Sequence, residues 1–324
     1  MERVVVVSSP GSRIYVRRGV VYVENKEGEK LALTADVGLV ILTAGASSIS
    51  GRALRRLSEL GIRLIVLGHH GRVVGELRPV DRVNKTIEAR LAQYRVRVEG
   101  RGLLYAKAMV RAKMENQARV LAYIARAKRL PSLLETASRI TMLADRLNRV
   151  NTAREVMGVE AEAARLYWQA IAGLLPPEYG FRGREPRAGD PVNMALSYGY
   201  AIIYSIVGDA LTVAGLDPYA GFLHADRSGR PSLVYDYADM FKPVAVDKPL
   251  LASPDPQCFD TFKGTLSYQA RRAIAKRILE NLYRMYSDRQ GARKTLRDHI
   301  YRYAWLLAAS LRSNTPYKGF VVRT

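Results

Sequence analysis

The sequence is short of cysteine and of acidic residues, and each shortage excludes a class of protein. Cys258 is the only cysteine among 324 residues, which excludes an internal disulfide framework and a cysteine-rich zinc site. The chain has 30 Asp and Glu against 51 Lys and Arg, so its formal net charge is +21. A charge of this size favours a polyanionic partner, either a nucleic acid or an anionic membrane surface.

Familiar targeting and catalytic motifs are also missing. The first residues lack the basic-then-apolar order of a signal peptide, and the longest uncharged apolar run, 194–208, is shorter than the ~20 residues of a bilayer span. We therefore expect that run to form a buried helix of a cytoplasmic protein with no membrane partner. A Walker A loop, G-x-G-x-x-G after a strand, H-E-x-x-H and G-x-S-x-G are all absent, which argues against the enzyme classes that they mark.

Residues 1–80 predict a small β-rich amino-terminal domain with one embedded helix. Ser47 or Ser48 is the predicted cap of that helix, and Gly61 is its predicted end. Runs of β-branched and aromatic residues between turn residues predict strands at 4–7, 13–23, 30–33, 37–42 and 62–67.

Residues 81–324 have the apolar spacing of helices and predict an all-helical second domain. The fold class is therefore an α+β multidomain protein. The irregular segment 175–192, which carries Arg182, Arg184 and Arg187, has a length typical of functional or disordered loops. The predicted helices are 84–98, 102–128, 132–150, 152–174, 193–213, 232–242, 263–287 and 291–311.

Two dense basic runs, 95–129 and 263–297, each hold ten Lys or Arg against two acidic residues. One such run is typically a solvated helix face. Two runs on a chain of this net charge favour a nucleic-acid-binding surface, because Lys and Arg neutralise backbone phosphates.

One carboxylate, Glu160, falls on the apolar side of the helix predicted at 152–174. Thr152 or Asn151 caps this helix, and Glu155 stands where a capping box places it. The apolar stripe consists of Val156, Val159, Ala163, Tyr167 and Ile171. A carboxylate within such a stripe is costly unless it is paired, hydrogen-bonded or metal-bound. A buried Glu–Arg pair and a metal or catalytic role therefore both remain open.

Two further carboxylates, Asp236 and Asp239, are three residues apart on the helix predicted at 232–242. Ser232 is the expected cap of this helix and Pro243 its expected stop. Like charges at this spacing repel, and Asp is unfavourable inside a helix. A bound cation would offset both costs, whereas the helix dipole alone favours Asp236 more than Asp239.

Glu160, His224 and Asp239 together form a set of two carboxylates and one imidazole. On its own, His224 is typical of a structural histidine. Hard oxygen ligands with one imidazole suit Mn²⁺ or Mg²⁺, and Zn²⁺ stays open by ligand type. A cation beside a basic surface fits phosphodiester chemistry.

Four short motifs occur in order along the helical region. They are Gly158-Val159-Glu160 with Ala164, Arg165 and Tyr167; Asp190, Val192 and Asn193 with Ser197-Tyr198-Gly199-Tyr200; Gly221-Phe222-Leu223-His224; and Leu233-Val234-Tyr235-Asp236 with Asp239. With these four motifs in this order, the chain resembles the CRISPR-associated endonuclease–integrase of spacer acquisition, the "Cas-one" family. The resemblance covers nearly the whole chain.

The resemblance implies a site as well as a fold. Glu160, His224 and Asp239 would bind one divalent metal, Mn²⁺ or Mg²⁺, and Asp236 would be a neighbouring acid that supports the site. The implied DNA or supporting contacts are Arg165, Asn193, Tyr198 and Arg227.

The resemblance also implies partners and a reaction. The partners would be double-stranded and branched DNA, a second copy of the chain bound through residues 1–80, and a small "Cas-two" protein. A 3′-hydroxyl of DNA would attack a phosphodiester at the edge of a repeat by metal-assisted transesterification. The alternative is a non-catalytic nucleic-acid-binding scaffold, in which the acids form buried pairs with arginine.

Overall fold

The computed structural model describes residues 3–43, 47–68, 73–80, 87–224 and 228–323. A β-rich amino-terminal region precedes a helical region, which confirms the α+β class. The strands are β1 (Arg3–Val7), β2 (Arg13–Arg17), β3 (Val20–Glu24), β4 (Lys30–Leu33), β5 (Val37–Leu42), β6 (Ser48–Ile49), β7 (Arg63–Leu67), β8 (Val73–Leu77), β9 (Thr261–Phe262), β10 (Thr265–Leu266), β11 (Met285–Ser287) and β12 (Arg293–Thr295). The helices are α1 (Gly51–Glu59), α2 (Glu88–Val98), α3 (Gly102–Lys128), α4 (Pro131–Arg146), α5 (Ala153–Ala172), α6 (Pro191–Val213), α7 (Ser232–Ala238), α8 (Lys248–Leu251), α9 (Tyr268–Leu282) and α10 (Leu296–Ser313).

The amino-terminal strands form two four-stranded sheets. In the first sheet, with the order β1-β5-β7-β8, β1, β5 and β7 are parallel and β8 is antiparallel to β7. In the second, with the order β4-β3-β2-β6, β2, β3 and β4 form an antiparallel meander and β6 runs parallel to β2. The remaining strands form two short hairpins, β9–β10 and β11–β12, within the helical region.

The parallel strands of the first sheet are largely buried, and β5 shows this most clearly because all six of its residues are buried. Val40 and Leu42 pack into a small core with the second sheet and α1, while Leu39 and Ile41 pack into the large core of the helical region. A continuous apolar run is expected of a parallel strand covered on both sides. The sheet therefore joins the two regions, and a domain boundary at residue 80 stays a prediction.

A buried ionic network also joins the regions. Arg63 on β7 pairs with Glu76 on β8 and with Asp209 on α6, and the Tyr301 hydroxyl of α10 donates to Asp209. Burial lowers the pKa of Arg63, although Glu76 opposes this effect. Removing one partner of a buried pair leaves an uncompensated charge, so this network ties the sheet to the helices.

Helix α6 is the central helix of the large core. Among the described residues it is the one helix long and apolar enough to cross a membrane by length and composition, but 72% of its most apolar window is buried inside the protein. A core helix passes the same test, and the predicted burial of the run 194–208 is confirmed. A cytoplasmic location stays a prediction.

Several predicted helix ends are wrong, and backbone hydrogen bonds explain the differences at the amino-terminal helix. Ser48 pairs with β2 as part of β6, so Ser50 rather than Ser47 or Ser48 caps α1, and its Oγ accepts from the Ala53 amide at 3.1 Å. In contrast, the capping box of α5 is confirmed, with Thr152 and Glu155 satisfying each other's backbone amides.

The last two predicted helices begin too early, because short hairpins precede them. Lys263 and Gly264 both have positive φ, +50° and +73°, which suits the two-residue turn between β9 and β10. Consequently α9 starts at Tyr268, and α10 starts at Leu296 after β12.

The predicted helix 232–242 ends early, at Ala238, and a π-helical turn, Pro243–Asp247, follows. Pro243 therefore opens a turn and does not stop a helix. The predicted cap is also wrong, since Ser232 is the first helical residue. Its buried hydroxyl accepts from the Gly221 amide at 2.9 Å and donates to the Tyr219 carbonyl.

The packing of α6 predicts opposite effects of alanine at its two central glycines. A Cβ at Gly199 would lie 2.7 Å from Val246 Cγ1 and 2.8 Å from Ile278 Cδ1, whereas a Cβ at Gly208 would meet only Val234, at 3.8 Å. Gly199→Ala should lower the free energy of unfolding by about 1–3 kcal/mol through overpacking. Gly208→Ala should raise it by up to ~1 kcal/mol through helix propensity. Chemical denaturation of both variants tests this, and equal effects would contradict the proposed packing.

Candidate metal centre

A lysine bridges the two carboxylates at the centre of the helical region. Lys113 Nζ on α3 lies 2.5 Å from Glu160 Oε1 on α5 and 2.8 Å from Asp239 Oδ2, just after α7. Only 17% of the Lys113 side chain, 15% of Glu160 and 10% of Asp239 are exposed. Three separate stretches of chain therefore converge on one partly buried cluster of charges.

The apolar stripe of α5 explains how Glu160 reaches this cluster. All five apolar residues of the predicted stripe are buried, and Glu160 lies beside them. Within the part of the chain that the structure describes, Glu160 pairs with a lysine, whereas the alternative prediction was a pair with arginine.

Helix α3 carries the matching cation on its own buried side. Met109 lies four residues before Lys113, and Asn116 and Val120 lie three and seven residues after it. All three of these residues are buried. Asn116 Nδ2 also donates to the Met240 carbonyl at 2.7 Å, which holds the chain next to Asp239 against α3. Lys113 is not among the predicted site residues, although a lysine within a buried helical stripe is the same signal that singled out Glu160.

A second lysine, Lys242, supports Asp239 from the opposite side. Its ammonium donates to Asp239 Oδ1, and its Nζ lies 5.0 Å from the ring centroid of Tyr200 and 4.8 Å from that of Tyr204. A cation over aromatic faces at these distances is stabilised by the ring quadrupoles. Lys242 therefore has a fixed position beside the carboxylate.

The charges of this cluster shift one another's pKa values. Burial alone would raise the pKa of Asp239, but Lys113 and Lys242 outweigh it and hold that pKa well below its usual range. Burial alone would lower the pKa of Lys113, yet Asp239 and Glu160 reverse the effect and raise it. The pKa of Lys242 is raised as well, because Asp239 outweighs its burial. The charged forms of all three groups are thus stabilised by their neighbours.

Asp236 organises the segment that contains His224. Its Oδ2 accepts from the amides of Phe222 and Leu223 at 2.6 and 2.9 Å, and its Oδ1 accepts from the His224 amide at 3.1 Å and from His224 Nδ1 at 2.5 Å. Because Nδ1 donates to Asp236, Nε2 is the ring nitrogen left to accept or to coordinate. A carboxylate that fixes an imidazole in this way is the usual support of a metal-binding histidine.

The close approach of Asp236 to this segment depends on Gly221. A Cβ at Gly221 would lie 2.8 Å from Asp236 Oδ2 and 2.8 Å from the backbone and side chain of Ser232. Gly221, the glycine of the third motif, is therefore required for a steric reason. A larger residue there would push the segment that contains His224 away from α7.

The structure brings Glu160 and Asp239 together and joins His224 to Asp236. No group of three or more His, Cys, Asp or Glu within the described residues is already arranged to hold a metal ion. The donor chemistry nevertheless fits a divalent cation, since two carboxylates share one positive charge and the oriented imidazole keeps Nε2 free of Asp236. The predicted ligand set thus stays a prediction.

The four predicted DNA or supporting contacts lie in different surroundings. Asn193 is only 1% exposed, and its side chain bonds Arg184, Glu185, Gly183 and Asp190. These contacts show that Asn193 orders the segment 175–192, and its role as a DNA or supporting contact stays a prediction. The Arg184 guanidinium also lies 5.2 Å from the Tyr200 ring centroid.

The other three predicted contacts also stay predictions. Tyr198 donates its hydroxyl to Thr43 Oγ1 at 3.0 Å, and burial raises its pKa to about 12. Arg165 lies on the exposed face of α5. Arg227 lies outside the described residues.

The basic runs are partly used inside the protein. In the first run, Lys113 bridges the carboxylates and Arg111 pairs with Asp145 at 3.1 Å. The two runs also contact each other, since Arg289 of the second pairs with Glu115 of the first. Exposed cations remain at the end of α3, at Arg126, Lys128 and Arg129. The formal net charge therefore overestimates the number of exposed cations that can bind phosphates.

A buried aspartate, Asp247, lies behind the aromatic residues that hold Lys242. Its two oxygens accept from the hydroxyls of Tyr200 at 2.7 Å and Tyr167 at 3.0 Å. Burial raises the pKa of Asp247 to about 6 from an ordinary value of 3.8. This carboxyl fixes the Tyr200 ring, whose face contacts Lys242.

The raised pKa of Asp247 predicts a pH dependence of stability. The folded chain binds this proton more tightly than the unfolded chain, so Asp247 reduces the free energy of unfolding as the pH rises from about 4 to about 6. Asp247→Asn removes this loss. Between pH 4 and pH 7, the free energy of unfolding of the variant should therefore rise by up to about 3 kcal/mol relative to that of the parent chain. Urea unfolding at several pH values measures the difference, and parallel profiles would contradict it.

Comparisons with known proteins agree with this architecture. The profile of the family described as "CRISPR associated protein Cas1" matches residues 5–255. The CRISPR-associated endonuclease Cas1 of Hyperthermus butylicus is 59% identical over 330 residues, covering 99% of each chain. Among solved structures, "Casposase bound to integration product" has a TM-score of 0.83 at 22% identity, covering 98% of this chain and 92% of that one. A chain of the "Cas6-RT-Cas1--Cas2 complex" has a TM-score of 0.77 at 21% identity, covering 98% of this chain and 36% of that one.

The fold and the candidate site together define a class of protein. It is an α+β protein in which a β-rich region precedes helices that enclose two neighbouring carboxylates. The structural likeness supports this fold assignment. The profile match and the 59% identical relative then show that the chain belongs to the Cas1 family of CRISPR-associated proteins.

Proposed function

We propose that this chain is a metal-dependent DNA endonuclease and integrase that inserts spacer DNA into CRISPR arrays by transesterification. The observation that carries the proposal is the cluster in which Glu160 and Asp239 share one cation. The 59% identical relative is named a CRISPR-associated endonuclease, and the casposase neighbour is described as bound to an integration product. Both descriptions support the same class of reaction.

The metal of this reaction would be Mn²⁺ or Mg²⁺, with Zn²⁺ open by ligand type. Glu160 and Asp239 offer hard carboxylate oxygens, and His224 offers Nε2 because Asp236 holds Nδ1. When bound, a divalent ion supplies Lewis-acid polarisation of the phosphoryl oxygen and lowers the pKa of an attacking hydroxyl or water.

The protein's own residues contribute orientation and charge. Asp236 fixes the His224 ring through Nδ1, and Lys242 fixes Asp239 from the side of Tyr200 and Tyr204. These supports hold the reactive groups before DNA arrives, so little reorganisation is needed during reaction. A positively charged side chain near the scissile phosphate would stabilise the charge that develops on it.

The partners follow from charge and from the relatives. The net charge of +21 fits double-stranded and branched DNA as the substrate. One structural neighbour belongs to a complex whose description includes Cas2, which supports a small Cas2 protein as a partner here. We further propose a homodimer formed through residues 1–80 and a cytoplasmic location.

A strand-transfer and branched-DNA cleavage assay with Mn²⁺, Mg²⁺ or EDTA tests the proposal. Glu160→Ala and His224→Ala should each lower metal-dependent joining and cutting by about 100-fold or more, because even the outer partners of metal ligands cost 10–100-fold. DNA binding should survive in both variants.

Glu162→Ala is the matched control on the same helix. Glu162 pairs with Arg146 at 2.7 Å, away from the carboxylate cluster, so this variant should keep its activity within a few-fold. DNA binding without chemistry in the parent chain, with and without Cas2, would favour the non-catalytic scaffold instead.

Salt dependence tests the phosphate contacts separately. The logarithm of the DNA affinity should fall with the logarithm of salt concentration, with a slope of about −0.9 for each phosphate neutralised, because counterions are released. Arg126→Ala, at an exposed position of α3, should make the slope shallower by about one unit. Arg111→Ala is the control, since Arg111 is held by Asp145. Fluorescence titrations at four salt concentrations measure the slopes, and a flat response would contradict a phosphate-tracking surface.

A further inference from the structure

We propose that Lys113 is a built-in counter-cation for the two carboxylates, and that a divalent metal ion must displace its ammonium before it can bind them. The inference rests on the proposed metal-dependent function and adds a role for a residue outside the predicted ligand set.

The geometry of Lys113 is that of a shared cation. Its Nζ is within 2.8 Å of one oxygen from each of Glu160 and Asp239, which belong to different helical segments. An ion that coordinated both carboxylates would have to lie near the same point. Two positive charges cannot occupy that point together, so the ammonium and the metal ion compete for it.

The cluster needs such a cation to keep its shape. Glu160 and Asp239 are mostly buried and both reach one nitrogen atom, so without a positive charge between them their carboxylates would repel at short range. Lys242 does not replace Lys113, because it contacts only the Asp239 side and is held by the faces of Tyr200 and Tyr204. Lys113 is the described residue that spans from α5 to the end of α7.

The placement of Lys113 on α3 also allows it to leave. The side chain extends from the helix on a flexible four-carbon stem and is 17% exposed, so the ammonium can withdraw without unfolding α3. Asn116, one turn further along, keeps the end of α7 in place through the Met240 carbonyl. The carboxylates can therefore stay near each other while the cation between them changes.

Two measurements on Lys113→Met, which has a similar length and no charge, test the inference. In EDTA the variant should melt at a lower temperature than the parent chain, because the carboxylates lose their shared cation. In a calorimetric titration with MnCl₂ it should bind Mn²⁺ about tenfold tighter or more, because the apparent affinity of the parent chain is reduced by the fraction of molecules in which the ammonium occupies the ligands. Stability and metal affinity thus move in opposite directions, which a purely structural lysine would not produce.

Lys128→Met controls for the loss of a lysine from α3, since Lys128 is exposed at the end of the same helix. It should leave both the melting temperature in EDTA and the Mn²⁺ affinity unchanged. Lys113→Arg, which keeps the charge, should not bind Mn²⁺ more tightly than the parent chain.

The outcomes separate this inference from the proposed function. If the parent chain binds Mn²⁺ and Lys113→Met binds it equally or more weakly, the counter-cation role is wrong while the metal site stands. If neither protein binds Mn²⁺, the metal-dependent function fails as well. If Lys113→Met is unfolded in EDTA, recovery of the fold in Mn²⁺ supports the inference, and failure to recover overturns it.

Discussion

The constraint on which the helical region depends is charge neutralisation in a largely buried place. Glu160 on α5 and Asp239 just after α7 are brought together from distant segments, and each would be unfavourable there without a positive partner. Lys113 supplies that partner from a third helix, and Lys242 adds a second. Opposite charges therefore join α3 to α5 and to the end of α7, in addition to apolar packing.

The surroundings of the cluster show a layered arrangement of supports. Asp247 fixes Tyr200 by a hydrogen bond, Tyr200 contacts Lys242, and Lys242 holds Asp239. On the other side, Asp236 orders the backbone and ring of His224. Asp239 and His224 thus each have a neighbour that limits their movement, as expected of a preorganised site.

Patterns of local origin were largely predictable. The stripe and the capping box of α5 depend on residues within one or two turns, and the structure confirms both. The apolar run of β5 was also visible as a strand. Its burial on both faces was not, because that depends on the helices that cover one side of the sheet. The predicted ends of α7, α9 and α10 were wrong because short hairpins precede α9 and α10 and a π-helical turn follows α7.

The sequence by itself determined the fold class, the family resemblance and the residue types of the site, because these follow from apolar periodicity and short motifs. Only the tertiary structure decided which charges meet. Lys113 precedes Glu160 by 47 residues and Asp239 by 126, so no local spacing predicts that one nitrogen bridges both. Asn193 is a second example, because its position in a motif did not show that its side chain is buried and hydrogen-bonded to Arg184 and Gly183 of a loop. Burial and partner choice are properties of packing between distant segments, which local patterns do not contain.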